Sequence, residues 1–258
     1  MSLFVGLMSG TSLDGIDAAL VEIDNESDQR PRLIDALCLP LAAELRTALL
    51  ELTQASQVSF AALGAAESAF CDHQAEAVRQ LLQRHGLTPD AITAIGSHGQ
   101  TIEHAPYADA PFTYQLDNPS RLAELTGCRV VADFRRRDMA AGGQAAPLAP
   151  IFHQALFTDT ARTRLILNLG GIANLTVLPP GGPPRAAFDT GPANMVLDAL
   201  ALRLTGTPYD ADGALAAQGT PDDALVADVA ARLRDYEGSD GLVLSMRAHV
   251  CRAFKSTA

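Results

Sequence analysis

A strand, a glycine-rich turn and a second strand follow one another twice along this chain, over residues 3–23 and again over 164–178. In the first copy the apolar run 3–8 leads into Ser9-Gly10-Thr11-Ser12-Leu13-Asp14-Gly15, and 16–23 resumes the strand pattern. In the second, 164–168 passes through Leu169-Gly170-Gly171-Ile172 into 173–178. A dinucleotide loop or a Walker loop feeds a helix. The first turn feeds a strand, so it is a hairpin and neither nucleotide motif fits there. The echo predicts two lobes on one plan, with their boundary in the Gly/Pro-rich crossing at 141–150.

Around these hairpins strands and helices alternate. Strand patterns are expected at 33–39, 91–95, 112–116, 129–132 and 186–188. Helical periodicity is expected at 42–53, 119–126, 151–157, 193–204 and 222–236, and over 60–85 with Ser59 as cap and Gly86 as stop. The class is therefore α/β. Nineteen Lys and Arg against 30 Asp and Glu give a net charge of −11, so the chain does not coat nucleic acid or an anionic membrane by bulk charge. Lys255 is the sole lysine, which excludes a Schiff-base or P-loop lysine from the preceding 254 residues. Cys38, Cys71, Cys128 and Cys251 lie far apart with no metal or redox spacing, as expected for free thiols in a reducing cytoplasm. The N-terminus lacks the basic start of a signal peptide, and no apolar run reaches the roughly 20 residues of a membrane span.

Five segments carry candidate chemistry. In the first turn, backbone amides with Thr11 and Ser12 can form an anion nest, and Asp14 and Asp17 can hold a hydrated magnesium ion. A purely structural polar hairpin is the competing reading. Gly170 and Gly171 permit close approach of a phosphate, or simply make a turn. Asp189, between strand 186–188 and a helix start at Pro192, is a candidate general base with partial burial, or an N-cap. Arg135-Arg136-Arg137 can present a guanidinium fork to an anion, or pair with Asp133 and Asp138. His98, between glycines after a strand, either touches a ligand or is a hydrogen-bonded structural histidine. No Gly-x-Ser-x-Gly elbow supports serine hydrolase chemistry.

Six segments, taken in order, resemble the anhydro-N-acetylmuramic acid kinase family. They are Gly6-Leu7-Met8-Ser9-Gly10-Thr11-Ser12-Leu13-Asp14-Gly15-Ile16-Asp17, Gly96-Ser97-His98-Gly99-Gln100-Thr101 and Val131-Ala132-Asp133-Phe134-Arg135-Arg136-Arg137-Asp138. They continue with Ala141-Gly142-Gly143-Gln144-Ala145-Ala146-Pro147-Leu148, Asn168-Leu169-Gly170-Gly171-Ile172-Ala173-Asn174 and Phe188-Asp189-Thr190-Gly191-Pro192-Ala193-Asn194. The resemblance implies an actin-like ATPase (ribonuclease H-like) fold of two lobes, 1–145 and 146–236, with 237–258 an atypical tail. It implies ATP- and Mg2+-dependent conversion of 1,6-anhydro-N-acetylmuramic acid to N-acetylmuramic acid 6-phosphate in peptidoglycan recycling, by a cytoplasmic homodimer that binds neither nucleic acid nor membrane. In its terms Asp189 activates the water, while Gly10, Thr11, Ser12, Leu13, Asp14, Gly15, Ile16 and Asp17 form the ATP-binding segment. Gly170 and Gly171 form the second phosphate loop, Asp14 and Asp17 attend the metal, and His98, Arg137 and Asn168 touch the sugar. Family members continue with a Gly-rich adenosine-binding segment and an acidic residue near the sugar, neither of which is visible here. The second lobe is accordingly expected to be incomplete. An inactive fragment, or another actin-like sugar kinase or ATPase, is the alternative at this stage.

Overall fold

The buried alternation of the first hairpin needs hydrogen-bonding partners on both edges. In the computed structural model, which describes residues 2–24, 30–224, 227, 228 and 231, it has them. Strand β1 (Ser2–Ser9) pairs antiparallel with β2 (Gly15–Ile23), and β2 with β3 (Arg32–Pro40). On its other edge β1 pairs in parallel with β4 (Ile92–Ala105). Val5, Leu7, Ile16, Ala18 and Leu20 are buried, and the register Val5↔Leu20 and Leu7↔Ala18 places them as cross-strand pairs on one face.

The helices cover that apolar sheet. Helix α1 (Ala43–Gln54) buries Leu45, Leu49 and Leu52 at helical spacing. Helix α2 (Phe60–Arg84) opens on Ser59, whose hydroxyl accepts from the Ala62 amide at 3.1 Å. Its buried stripe runs through Phe70, Cys71, Ala75, Val78, Leu81 and Leu82. Burying each of the larger of these apolar side chains contributes about 1.5–3 kcal/mol before the entropy of ordering is subtracted. Strand β5 (Phe112–Leu116) pairs antiparallel with the distal half of β4. Helix α3 (Pro119–Thr126) follows, capped by Asn118 and stopped by Gly127 in the left-handed region. Strand β6 (Val130–Val131) then pairs in parallel with Ile95 and Gly96 of β4. The order β3–β2–β1–β4–β6, with β2 the reversed strand, is a ribonuclease H-like strand arrangement.

Two elements of the first unit differ from expectation. The short strand expected at 91–95 is a 14-residue strand that carries the whole Gly96-Ser97-His98-Gly99-Gln100 segment inside it. Glycine and serine read locally as a turn, but β1 on one edge and β5 and β6 on the other supply the ladder. The register slip opposite Leu7–Ser9 is absorbed where Gly99 takes φ +72. Downstream, the arginine triplet lies on a short helix, α4 (Phe134–Ala140), where no helix was expected. Helix α5 (Ala149–Phe157) closes this part of the chain.

The chain divides into two compact units, Met1–Leu156 and Phe157–Ala258. The second contains an antiparallel meander of β7 (Arg164–Leu169), β8 (Ile172–Leu178) and β9 (Ala186–Pro192), then α6 (Asn194–Thr205). Ala173, Thr176, Leu178 and Ala201 are buried within it. Of the helix expected at 222–236, Asp223, Ala224, Ala227, Asp228 and Ala231 are helical; its other residues from 225 on, and the tail with Lys255, lie outside the described residues. Among the described residues no helix is long and apolar enough to cross a membrane.

Candidate functional site

The first glycine turn is a hairpin, and it is tightly tied. The Leu13 amide donates to the Gly10 carbonyl at 3.3 Å, and Leu13, buried with φ 53, anchors the loop in the core. Its carbonyl accepts from Arg46 Nε of α1 at 3.0 Å. The Asp14 carboxylate accepts through Oδ1 from the Ser12 hydroxyl at 2.9 Å and from the Gly15 amide at 3.0 Å. Gly15 and Ile16 are buried and structural: a Cβ at Gly15 would stand 2.6 Å from Cys38 Sγ and 2.9 Å from the Leu39 carbonyl. By contrast Thr11, Ser12, Asp14 and Asp17 are exposed, and Gly10 has room around it. The amides of Thr11 and Ser12 have no backbone acceptor among the described residues. That donor set suits a phosphate, and Asp14 Oδ2 with Asp17 suits a hydrated magnesium ion, which needs few carboxylates. No three His, Cys, Asp or Glu side chains form a metal cluster among the described residues.

Cys38 lies across the β2–β3 ladder from Asp17. Burial of its sulfur, then the hydrogen bond and charge of Asp17, push the thiol up from 9.0 to about 11. A shift of that size leaves about a hundredfold less thiolate than in an ordinary thiol. Cys38 is therefore expected to resist iodoacetamide at pH 8 despite its exposure, and Asp17→Asn is expected to speed its alkylation severalfold. Residue-resolved mass spectrometry reads both rates. Alkylation of the unaltered chain at the rate of a free thiol would contradict the assignment.

His98 uses both ring nitrogens within the protein. Nδ1 lies 2.8 Å from the Gly99 carbonyl and Nε2 2.7 Å from Arg135 Nε. Arg135 can only donate, so Nε2 accepts and the ring is neutral with its proton on Nδ1. Arg135 also donates to the Ala145 carbonyl, and the Ala145 amide donates to Asp138 Oδ2 at 2.7 Å. This chain of contacts holds the 142–145 loop against α4 and β4, with Asp133 (φ 65) before α4 and Ala145 (φ 61) at the end of the loop in left-handed backbone. Burial, then the Arg135 charge, hold the His98 pKa below 6.5. The unfolded chain therefore takes up this proton first. The stability that His98 contributes is full above pH 6.5 and is lost as the pH falls from there through the lower folded-state pKa. An NMR titration is expected to show the His98 ring with a midpoint below 6.5, rising in Arg135→Leu; a midpoint at or above 6.5 in the unaltered chain would overturn the assignment.

Arg136 pairs with Asp133 at 2.6 Å, and Arg137 is exposed on the last turn of α4. The arginine–aspartate pairing expected for this segment is thus realised at Asp133, while Asp138 serves the loop. Another polar group lies inside the same unit. Gln74 Nε2 donates to Ser97 Oγ at 3.0 Å, beside Asp117, whose pKa burial raises.

In the second unit the Gly170–Gly171 turn receives the start of α6. The amides of Ala193 and Asn194 donate to the carbonyls of Gly171 and Gly170 at 2.9 and 3.0 Å, and Asn194 Nδ2 to Leu169 at 2.9 Å. The Gly170 and Gly171 amides have no backbone acceptor among the described residues. Asp189 is neither an N-cap nor buried. It lies inside β9, which runs on through Pro192, and it is exposed. Ladder pairing, not a helix start, claims Asp189-Thr190-Gly191-Pro192. The registers Asn168↔Asn174 and Asn174↔Asp189 set these three side chains in one row across the meander. Asn174 Oδ1 is buried without a partner among the described residues, which marks it as the group in this row that sequence reading passed over. An asparagine within a strand of apolar residues was the available signal. Unit 1 thus gathers the first turn, Asp17 and, on β4, His98; unit 2 gathers Asn168, Gly170, Gly171 and Asp189.

The family profile of anhydro-N-acetylmuramic acid kinase matches residues 2–234. A Chromohalobacter salexigens anhydro-N-acetylmuramic acid kinase is 64% identical over 229 residues, covering 88% of this chain and 61% of the relative. The protein of that name from Bordetella pertussis is 54% identical over 217 residues, covering 84% and 56%. A Pseudomonas putida relative is 49% identical over 227 residues, covering 88% and 61%. The chain spans about three fifths of the length of these relatives.

Proposed function

Since the chain belongs to the anhydro-N-acetylmuramic acid kinase family, we propose that it acts as an ATP- and Mg2+-dependent kinase. Its substrate is 1,6-anhydro-N-acetylmuramic acid, and its product is N-acetylmuramic acid 6-phosphate, within peptidoglycan recycling. Its setting is the cytoplasm, its working form a homodimer, and its lobes are residues 1–145 and 146–236, followed by the tail at 237–258. The observation that carries this reading is the match over residues 2–234, which spans both glycine hairpins and Asp189.

Asp189 takes a proton from the water that adds to the anomeric carbon. The bond from that carbon to O6 breaks, and O6 becomes the acceptor oxygen. Asn168 and Asn174, in the same row, orient the water and the sugar. In the first unit the open amides of Thr11 and Ser12, with the Thr11 hydroxyl, suit phosphate oxygens, and in the second unit the open amides of Gly170 and Gly171 do, a task that needs no P-loop lysine. Asp14 and Asp17 hold the magnesium ion through its waters. When bound, ATP supplies the γ-phosphoryl group that O6 takes, and Mg2+ offsets charge on the transferring oxygens. Neutral, with both ring nitrogens engaged, His98 holds Arg135 and through it the 142–145 loop within the first unit.

The test is incubation of the folded 258-residue chain with ATP, Mg2+ and the anhydro sugar, reading ADP and the 6-phosphate. Sugar-dependent ADP release is expected. A folded sample that releases ADP only with a different sugar, or not at all, overturns the reading for this chain.

A further inference from the structure

Helix α2, strand β4 and the residue that follows β5 meet at a buried polar point in the first unit. Gln74 of α2 and Ser97 of β4 are 1% and 0% exposed, and Gln74 Nε2 donates to Ser97 Oγ at 3.0 Å. Asp117 lies beside both. Its Cβ is pressed against the β4 bulge, 2.9 Å from the place a Cβ on Gly99 would take. Both Asp117 carboxylate oxygens and Gln74 Oε1 are buried without a hydrogen-bond partner among the described residues. Buried polar groups in native proteins are paired, and a buried charge is paired, bound to a cation or neutralised.

Among the described residues no cation answers this carboxylate. Arg121 of α3 is engaged with Asp72, through Nε at 3.1 Å and a terminal nitrogen at 2.6 Å. Pro119, at the start of α3, has no N–H to offer. From α2, Glu67 accepts from Asn118 Nδ2 at 2.8 Å, and its charge opposes a second anion, while burial pushes the Cys71 thiol up to about 11. On β4, His98 is committed to Gly99 and Arg135, and on β5 burial raises the Tyr114 phenol. One proton accounts for all three orphaned oxygens. Carried on one Asp117 oxygen, it is donated to Gln74 Oε1, and the Ser97 hydroxyl donates to the other. With the Gln74–Ser97 contact already present, a ring of three hydrogen bonds is complete. We propose that the folded chain keeps Asp117 as a neutral carboxylic acid under conditions that ionise an exposed aspartate, and that loss of its proton unlatches α2 from β4. As a carboxylate, Asp117 would set two acceptors against each other with no hydrogen between them. The latch borders the first hairpin, because Ser97 pairs with Leu7 on β1, two residues before Ser9.

Burial is the main cause that raises the Asp117 pKa above 3.8, and Ser97, Gln74 and the Asn118 amide temper the rise. The unfolded chain therefore gives up this proton first as the pH rises. The stability that Asp117 contributes is full below pH 3.8 and is lost as the pH rises from there through the folded-state pKa, about tenfold in the folding constant for each pH unit crossed. Carboxyl-carbon NMR of the 258-residue chain, with Asp117→Asn locating the signal, is expected to give Asp117 a midpoint above 3.8. Asp117→Asn also closes the ring at every pH, since its amide donates to Gln74 and its oxygen accepts from Ser97. Its advantage in thermal midpoint over the unaltered chain is expected to widen as the pH rises through the Asp117 midpoint and to level off above it. Hydrogen exchange reads the latch. Amides of residues 5–8 and 95–98, corrected for the intrinsic pH dependence, are expected to exchange severalfold faster above that midpoint in the unaltered chain and not in Asp117→Asn. If that variant does not fold, Ser97→Ala replaces it: loss of the donor to the carboxylate is expected to raise the Asp117 midpoint further. A midpoint at or below 3.8, or a pH-independent difference between the two chains, would overturn the proposal. So would stabilisation by potassium over tetramethylammonium that is lost in Asp117→Asn, which would put a cation in the proton's place.

Discussion

Asp189→Asn is expected to lower sugar-dependent ADP release by about 10²–10⁴-fold, the usual worth of a general base. The fold should not notice the change. Asp189 is exposed, its backbone keeps its place in the β8–β9 ladder, and its side chain makes no hydrogen bond among the described residues. Substitutions of that kind stay within about 0.5 kcal/mol. The expected result is therefore a collapse of kcat with an unchanged thermal midpoint. KM for the sugar should move little if the carboxylate acts on the water rather than on the ground-state sugar. Near-normal turnover by the variant would remove Asp189 from the mechanism. A parallel loss of kcat and thermal midpoint would point to a structural role for the row with Asn168 and Asn174.

Gly99→Ala carries the largest expected effect on stability. At φ +72 a non-glycine residue costs about 1–2 kcal/mol. Here the new Cβ would also stand 2.8 Å from the Leu116 carbonyl and 2.9 Å from Asp117 Cβ, neither of which is a flexible side-chain end. Overpacking of that kind adds about 1–3 kcal/mol, so the total comes to roughly 2–5 kcal/mol. For a unit of this size the thermal midpoint should fall by about 5–20 °C. Gly86→Ala is the control: its φ is +60, but nothing lies within 4 Å of the added carbon. It is expected to lose only about 1–2 kcal/mol. Equal losses for the two variants would refute the packing part of the argument.

The contrast at Gly99 shows what could be read from the chain and what could not. Gly96-Ser97-His98-Gly99-Gln100 has the local composition of a loop, and it was placed at the end of a short strand. It lies within β4 because β1, β5 and β6 come from distant parts of the chain to pair with it. Asp189 shows the same limit. Asp-Thr-Gly-Pro reads as a helix opening, yet its pairing with Asn174 keeps it extended, and its expected burial is absent. The residues around His98 leave ligand contact and a structural role equally open. The Arg135 contact made across 37 positions is what engages its second nitrogen.

The two hairpins, the α/β class, the exclusion of lysine-based phosphate binding and, through six ordered segments, the family were legible in the residues alone. These depend on local chemistry: hydrophobic period, turn residues and residue identity at fixed spacing. Which glycines are held by packing, which arginine serves the loop and which pairs with Asp133, and the pairing of Asn174 with Asp189 came from the fold. Those outcomes depend on which strands become neighbours, and neighbours in a mixed sheet are chosen by burial and pairing across the chain, which no local pattern records.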